Sequence, residues 1–280
     1  MYRTLISPQN YTGENPLWDT REPTFDSFYC IWDTFRFTHP LYNVLVPEAQ
    51  SQMIRSLIDI FRFEGWLPEC RMSFCKGITQ SGSNADTLLT DAFIKDIPGV
   101  SWDDAFQAIR KDAEVEPSNW GVEGRGNIAD YDQLGYVPVD ADYSHSRQDI
   151  SHRTVSRSIE YAHNDFSIAM FARKLRNRNL YEKYIARASW WQNLWMKEAK
   201  EPTTGITGFF QGRYSNGSWL LHPGANCETC VVGLAGPDGE FYEESAWSYS
   251  WFVPQDYAKL IDLVGGRDNF TERLGIRLQG

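Results

Sequence analysis

The segment FYEESAWSYSWFVPQD, Phe241 to Asp256, combines acidic and aromatic residues in a way that is typical of an acid catalyst. Glu243 and Trp247 are four residues apart, so in a helix or turn the indole would lie against the carboxyl group and exclude water from it. Desolvation favours the protonated acid and raises its pKa, as a general acid near neutral pH requires. Glu244 points elsewhere and serves as an internal comparison. An acidic surface beside buried aromatic residues fits the same spacing equally well.

A second candidate group lies in IWDTFRFTHPL, Ile31 to Leu41, where Trp32, Asp33 and Arg36 are close together. A carboxylate and a guanidinium can each bind the vicinal hydroxyls of a sugar, and the indole offers a flat ring face. On spacing alone, a local ion pair between Asp33 and Arg36 is the slightly better interpretation. His39, before Pro40, is by itself more typical of a structural residue than of a catalytic one.

Two further motifs contain polar groups with simpler explanations. In GSNADTLLTDAFIK, Gly82 to Lys95, Asn84 and Asp86 open a helix, and Asn is among the preferred helix caps. In RTVSRSIEYAHNDF, Glu160 and Asp165 lie in an otherwise apolar helix, where charges usually form a solvated face. The pattern therefore favours capping and solvation in these two motifs.

Charge and composition restrict the class of partner. Lys and Arg total 27 against 37 Asp and Glu, a net charge of −10, which disfavours binding to phosphates or anionic lipid. No apolar run approaches the roughly 20 residues that span a bilayer. Aromatic residues make up 15%, with 11 Trp, several beside carboxylates or in Gly-rich loops. We therefore expect no nucleic-acid or membrane partner and a cleft suited to sugars.

Cysteines and sequons bear on the compartment. Cys70 and Cys75 with Cys227 and Cys230 could supply four zinc ligands, but local disulfides or free thiols fit this spacing better. Sequons of the form Asn-x-Ser/Thr occur at Asn10, Asn216 and Asn269, where composition alone would give roughly two by chance. The sequons therefore favour secretion only mildly.

The spacing of apolar residues, together with residues that typically start or end helices, predicts a largely helical chain. The clearest helix is Pro47 to Glu64, with Pro at its first turn and Gly65 at its end. The other predicted helices are one from Asn84, one from Ser101 with Asp104 in a capping box, and the segments 151–176, 180–199 and 254–264.

Long connections without strand alternation separate these helices, at about 65–83, 116–150 and 201–242. Long ordered loops in compact domains are usually functional. Helices joined by alternating short and long loops fit an all-α fold, a partial (α/α)6 toroid of helical hairpins whose long loops gather at one mouth.

Nine segments, in chain order and over nearly the whole chain, resemble glycoside hydrolase family 92, in particular its fungal members. They are WDTFRFTHPL, FEGWLPEC, GSNADTLLTDAFIK, AIRKDAE, GRG-x4-Y-x2-LGYVP, VSRSIEYAHNDF, YIARASWWQNLW, GFF and FYEESAWSYSWFVPQD. The resemblance implies a Ca²⁺-dependent, inverting exo-α-mannosidase acting on N-glycans, with an (α/α)6 toroid that follows a β-sandwich. Family members are mostly exported, so we expect a secreted protein.

The resemblance also implies roles for individual residues. Glu243 matches the general acid of the family motif E-x-x-x-W-x-Y, in which Trp247 is the tryptophan. Asp33 and Arg36 match the W-D-T-[FY]-R motif that lines the terminal mannose pocket, with Trp32 nearby. Gln255 departs from the family, which usually has His at this position of V-P-H-D, so no histidine role is expected there.

The resemblance further predicts that residues 1–280 form part of one catalytic domain, without the β-sandwich and the C-terminal end of the toroid. The family segments that carry the general base and the main calcium ligands have no counterpart in this chain. We therefore expect no turnover from the chain alone, and its metal ligands stay unassigned. The alternatives are a non-catalytic mannose-binding relative and a toroid hydrolase that acts on another α-glycoside.

Overall fold

A computed structural model describes residues 18–25, 27–72, 75–144, 152–202, 204–220 and 239–279, without the side chains of residues 27, 29, 72, 75 and 277–279. Cys227, Cys230 and the sequon at Asn10 lie outside these ranges.

The described residues form mainly helices, together with two small antiparallel sheets. The helices are α1 (Ile31–Thr34), α2 (Thr38–Leu45), α3 (Pro47–Glu64), α4 (Ala85–Ile94), α5 (Trp102–Glu114), α6 (Ile128–Leu134), α7 (Thr154–Lys174), α8 (Arg178–Arg187), α9 (Ala246–Tyr249), α10 (Tyr257–Leu263) and α11 (Arg267–Gln279), with a 3₁₀ helix at Trp190–Leu194. The strands are β1 (Ser27–Cys30), β2 (Cys70–Met72), β3 (Cys75–Lys76), β4 (Trp195–Lys200) and β5 (Thr207–Phe210). Strand order is β1-β2-β3 in one sheet and β4-β5 in the other.

The helix α3 confirms its predicted bounds. Pro47 occupies its first position, and Gly65 ends it in the left-handed conformation with φ 86°. Helices α4 and α5 begin one residue after Asn84 and Ser101, which occupy the N-cap positions without side-chain capping bonds. The Ser101 hydroxyl instead donates to the Asp104 carboxylate at 2.9 Å.

The predicted helix over 180–199 is wrong in its second half. Helix α8 ends at Arg187, and after the 3₁₀ helix the chain becomes strand β4. Trp195 pairs with Phe210 and Met196 with Phe209, so the backbone hydrogen bonds of this segment go to a distant strand. Nonlocal pairing and aromatic packing therefore override the helical periodicity.

The predicted loops contain short elements that periodicity missed. The segment 65–83 holds β2 and β3, the segment 116–150 holds α6, and the segment 201–242 holds β5. The helix predicted over 254–264 begins later, at Tyr257. The expectation of a predominantly helical fold is confirmed, whereas a strictly all-α fold is not, because of the two sheets.

The chain divides into two compact units. The first holds the described residues up to Ile128 and those of 164–185; the second holds the described residues of 129–144, 152–163 and from Ala186 onward. In the first unit, Phe171 stacks on Phe93 and Phe106, with ring centroids 3.9 and 5.0 Å apart. In the second, Tyr161 packs edge-on against Tyr131 at 5.4 Å.

A disulfide joins Cys30 of β1 to Cys70 of β2, so Cys70 is not available as a zinc ligand. Gly77 passes close to this bridge, since a Cβ there would lie 2.8 Å from the Cys70 Cβ. Directly after the disulfide, the Ile31 amide donates to the Glu69 carbonyl at 2.7 Å. The start of α1, which carries Trp32 and Asp33, is therefore held by a covalent and a hydrogen-bonded anchor.

Among the helices that the structure describes, none combines the length and the apolar character needed to cross a bilayer.

Candidate active site

The backbone that leads to Glu243 is fixed at the first turn of α7. The Glu240 carboxylate accepts hydrogen bonds from the amide and the hydroxyl of Thr154, and the Glu240 carbonyl accepts from the amides of Val155 and Ser156 at 3.1 and 3.2 Å. A carboxylate at a helix N-terminus satisfies free amides and complements the helix dipole. This arrangement positions the segment immediately before the predicted acid.

The next residues strengthen this attachment. The Tyr242 amide donates to the Ser156 hydroxyl at 2.8 Å, and the Tyr242 ring is buried, with the Arg153 guanidinium 5.6 Å from its centroid. Burial, followed by the nearby Arg157 charge, lowers the pKa of Arg153 to about 10, so Arg153 remains cationic at neutral pH.

Glu243 follows this buried segment with an exposed side chain. Its backbone has φ 57°, in the left-handed region, which is uncommon and costly for a residue with a Cβ. Helix α9 begins only at Ala246, and the Ser245 hydroxyl caps it by accepting from the Ser248 amide. Glu243 is therefore held between two fixed segments and projects into solvent.

The predicted desolvation of Glu243 by Trp247 is wrong. Because Glu243 precedes α9, the two side chains are not on one helical face, and the Glu243 carboxyl is exposed while the Trp247 indole is only 2% exposed. Trp247 packs instead against Phe209, with ring centroids 5.3 Å apart, and its centroid is 5.2 Å from the Arg273 guanidinium. Glu244 is exposed as well.

Arg273 of α11 supports the segment that follows Glu243, and sequence reasoning missed it. Its guanidinium donates to the carbonyl of Gly208 at 2.7 Å and to the hydroxyl of Ser250 at 3.0 Å, and lies 4.0 Å from the Phe209 ring centroid. The side chain is 3% exposed, and burial lowers its pKa to about 10. Arg273 therefore ties α9 and β5 to α11 in the second unit.

The second predicted group lies at α1, in the first unit. Trp32 is buried, Asp33 is exposed, and Arg36 lies two residues after the end of the helix. Arg36 donates from Nε to the Trp32 carbonyl at 3.1 Å, and its guanidinium lies 4.5 Å from the Trp32 ring centroid. Stacking on the indole and the hydrogen bond to the Trp32 carbonyl therefore orient the guanidinium.

Asp86 and Asp165 belong to a buried ionic network, not to a solvated face or a cap. Arg125 donates from Nη2 to Asp86 at 3.0 Å and from Nη1 to Asp165 at 2.7 Å, and from Nε to the Ser83 hydroxyl at 2.8 Å. All four side chains are completely buried, as is Asn164, whose amide donates to Asn84 at 3.3 Å. The solvated-face interpretation is also wrong for Glu160, which is fully buried.

This network contains more acid than base. Asp112 is buried beside it, and burial, followed by the charges of Asp86 and Glu69, raises the pKa of Asp112 well above its usual range. Burial raises the pKa of Asp86 to about 6 despite the neighbouring Arg125. Burial and the surrounding negative charge thus favour the protonated form of Asp112 in this closed interior.

His39 is fully buried, as expected of a structural residue. Its Nδ1 is 3.1 Å from the Gln50 side-chain oxygen, and burial lowers its pKa to about 4. His39 is therefore neutral at physiological pH.

The predicted site residues fall into two groups, each described within its own unit: Trp32, Asp33 and Arg36 in the first, and Glu243 with Trp247 in the second. Over the ranges that the structure describes, no three His, Cys, Asp or Glu side chains are arranged to hold a metal ion. Within these ranges, acidic side chains alone therefore do not assemble a calcium site.

Comparison with protein families matches residues 1–277 to the model described as the glycosyl hydrolase family 92 catalytic domain. A curated protein of Arthroderma benhamiae, described as an uncharacterized secreted glycosidase, is 41% identical over 281 residues, covering 98% of this chain and 33% of that protein.

Two solved structures from Bacteroides thetaiotaomicron are similar, each at 26% identity. A family 92 inverting mannosidase gives a TM-score of 0.72 over 90% of this chain and 32% of its own. A family 92 α-mannosidase in complex with mannoimidazole gives 0.71 over 91% of this chain and 30% of its own. The chain thus spans about a third of the length of each of these relatives.

Proposed function

This chain belongs to the glycoside hydrolase family 92, and we propose on that premise that the full-length protein is an exo-α-mannosidase that removes terminal α-linked mannose from N-glycans with inversion. The match over residues 1–277 and the likeness to two mannosidase structures support the proposal. The proposed fold of the complete domain is the (α/α)6 toroid, of which residues 1–280 form part. The secreted glycosidase of A. benhamiae supports an exported location.

One observation favours Glu243 as the general acid. Its side chain is exposed directly after a buried segment, and its backbone is in the left-handed conformation. Costly conformations of this kind persist where the surroundings impose them, and they concentrate at functional sites. Glu240 and Tyr242 hold one side through α7, and the capped helix α9 holds the other. The position of the Glu243 carboxyl group is thereby fixed, as proton transfer to a leaving oxygen requires.

The proposed reaction is a single displacement. Glu243 protonates the glycosidic oxygen while a carboxylate on the opposite face of the sugar activates water, with the two carboxyl groups about 6.5 to 9.5 Å apart. The family resemblance assigns the general base to a segment without a counterpart in residues 1–280. We therefore propose that the chain alone does not turn over substrate.

The proposed mannose pocket uses the residues of α1. Arg36, stacked over Trp32, would donate to sugar hydroxyls, and the exposed Asp33 carboxylate would accept from them. The ring of Trp247 is almost completely buried, so its proposed role is indirect. It would support the segment that lies near the substrate.

Calcium dependence is proposed from the family resemblance alone, with the main ligands outside this chain. A bound cation of this kind would supply electrostatic attraction for sugar hydroxyls. Loss of mannose release on chelation, restored by Ca²⁺ but not by an equal excess of Mg²⁺, is the expected result for the full-length protein. Undiminished release after chelation would contradict calcium dependence without affecting the assignment of Glu243.

The decisive experiment compares Glu243→Gln with Glu244→Gln in the full-length protein. Both residues are exposed neighbours, so each variant removes one surface charge. We expect Glu243→Gln to reduce kcat/KM on a high-mannose glycan by about 10²- to 10⁴-fold and Glu244→Gln to leave it within a few fold.

An aryl α-mannoside provides a second readout. Its phenolate leaving group needs little protonation, so Glu243→Gln should lose much less activity on it than on the glycan. Equal losses on both substrates, or a larger loss in Glu244→Gln, would move the acid elsewhere. Binding of mannose without release by the wild type would favour a non-catalytic relative, and cleavage of an aryl α-glucoside alone would favour a different toroid hydrolase.

A further inference from the structure

The hairpin that follows β5 presents the Asn216 sequon at its tip. Arg213 and Trp219 form an antiparallel bridge, the Tyr214 amide donates to the Ser218 carbonyl at 2.9 Å, and the Gly217 amide donates to the Tyr214 carbonyl at 2.9 Å. Gly217 has φ 85°. This is a three-residue hairpin loop in which glycine occupies the left-handed position.

Contacts that do not involve the Asn216 amide fix this loop. The Asp140 carboxylate accepts from the amide and the hydroxyl of Ser215, each at 2.7 Å. On the other side of the turn, Arg213 donates to the Gly217 carbonyl at 3.0 Å, and its guanidinium lies 4.8 Å from the Trp219 ring centroid. The tip is therefore held in place from both sides.

Asn216 itself is exposed and uses only its side-chain oxygen. That oxygen accepts from the amide of Ser218 at 2.9 Å and from its hydroxyl at 2.7 Å, which is the hydroxyl of the sequon. Among the residues that the structure describes, nothing accepts a hydrogen bond from Asn216 Nδ2. A substituent on that nitrogen would thus extend into solvent without breaking a contact.

The sequon at Asn269 is also exposed but differs at the same atom. Asn269 lies in the first turn of α11, and its Nδ2 donates to the Gly265 carbonyl at 3.3 Å. The following residue, Phe270, packs edge-on against Trp251 at 5.2 Å. A substituent on Asn269 Nδ2 would lie against the backbone at Gly265, so exposure alone does not make the two sequons equivalent.

We propose that Asn216 is an N-glycosylation site. During export, it accepts an oligosaccharide from a donor in which the sugar is joined to a lipid through a diphosphate. Asn216 Nδ2 attacks the anomeric carbon of the donor, a C–N bond forms, and the C–O bond to the diphosphate breaks. The diphosphate leaves with the bonding electrons, and the transferase base takes the proton from Nδ2. This site is independent of the proposed mannosidase activity.

The test is expression of the full-length protein with a secretion signal in a eukaryotic host, followed by peptide mass spectrometry with and without an N-glycan amidase. Asn216 and Asn269 fall in different tryptic peptides, so the occupancy of each is measured separately. We expect most molecules to carry a glycan at Asn216 and several-fold lower occupancy at Asn269.

Variants of the sequon hydroxyl distinguish modification from misfolding. Ser218→Ala should abolish the glycan at Asn216, whereas Ser218→Thr, which keeps the hydroxyl, should retain it. Asn216→Gln should remove the same glycan while the secreted yield shows whether the chain still folds. An unmodified Asn216 in a host that glycosylates a co-expressed reporter would overturn the proposal. Occupancy at Asn269 equal to that at Asn216 would overturn the inference that the contact of Asn269 Nδ2 with the Gly265 carbonyl separates the two sequons.

Discussion

Two buried guanidinium groups show different ways of accommodating a charge inside this protein. Arg125, in the first unit, is completely buried and binds the carboxylates of Asp86 and Asp165. Arg273, in the second unit, is 3% exposed and has no carboxylate partner within the described ranges. Its hydrogen bonds go to backbone carbonyls and a hydroxyl, and aromatic ring faces surround it.

The two environments differ in the net charge that surrounds the guanidinium group. Around Arg125, burial raises the pKa values of Asp86 and Asp112, and neighbouring carboxylates, which outnumber the guanidinium, raise them further. Around Arg273, carbonyl dipoles and ring quadrupoles compensate a single cation, and its pKa falls only to about 10. The first arrangement is an ion network, and the second is a cation in a dipolar setting.

Residues in the segments that resemble the family do not all belong to the proposed active site. The network around Arg125 draws residues from several of the segments on which the family resemblance rests, yet it is closed to solvent. Arg273 lies outside those segments but supports the helix that follows the proposed acid Glu243. A set of recognisable motifs can therefore specify a core, while residues without a motif position a site.

The largest expected effect is that of Arg125→Met. Removal of the guanidinium takes this cation away from the buried carboxylates of Asp86 and Asp165, which should lower the free energy of unfolding by about 3 to 5 kcal/mol. Urea denaturation at pH 7, followed by near-UV circular dichroism, measures this change. A loss below about 1 kcal/mol would contradict the role of Arg125 in compensating these buried carboxylates.

Arg273→Met should have a smaller effect, because it leaves no charge behind. The carbonyl of Gly208 and the hydroxyl of Ser250 would lose a donor, for an expected loss of about 1 to 3 kcal/mol in the same assay. Arg273→Lys keeps the cation near the rings but not the forked hydrogen bonds, and should fall between the wild type and Arg273→Met. A loss equal to that of Arg125→Met would erase the distinction between the two sites.

The sequence predicted an element correctly where residues at its own ends determine where it begins and stops. Helix α3 begins at Pro47 and ends before Gly65, which adopts the left-handed conformation that glycine tolerates best. Strand β4 escaped prediction because its pairing with Phe209 and Phe210 lies beyond the local window. Helix α11, which carries Arg273, was not predicted at all.

The site was predictable only in part for the same reason. Glu243 could be singled out from its motif, but its exposure follows from the attachment of Glu240 and Tyr242 to α7, 86 residues away in sequence. Likewise, nothing local distinguishes the buried Asp165 from a surface aspartate, because Arg125 approaches it from 40 residues away. Burial of a charge is decided by a distant partner.

The finest test of the comparison is the pH dependence of Asp112→Asn. In the wild type, Asp86 and Asp112 hold protons in the native state that the unfolded chain releases near pH 4, so stability is greatest below that pH and falls as the pH rises through about 6. For Asp86 alone, this decline is on the order of 3 kcal/mol. In Asp112→Asn, the neutral amide can donate to Asp86 at every pH, which removes one of the two contributions.

We therefore expect the variant to match the wild type at pH 4 and to become relatively more stable as the pH rises to 7, measured as urea midpoints at several pH values. Asp103→Asn, exposed on the same helix α5, controls for the loss of one negative charge. Parallel stability curves for the wild type and Asp112→Asn would contradict an excess of acid in the Arg125 network. The network would then resemble the Arg273 site, in which a single cation is compensated without any proton uptake.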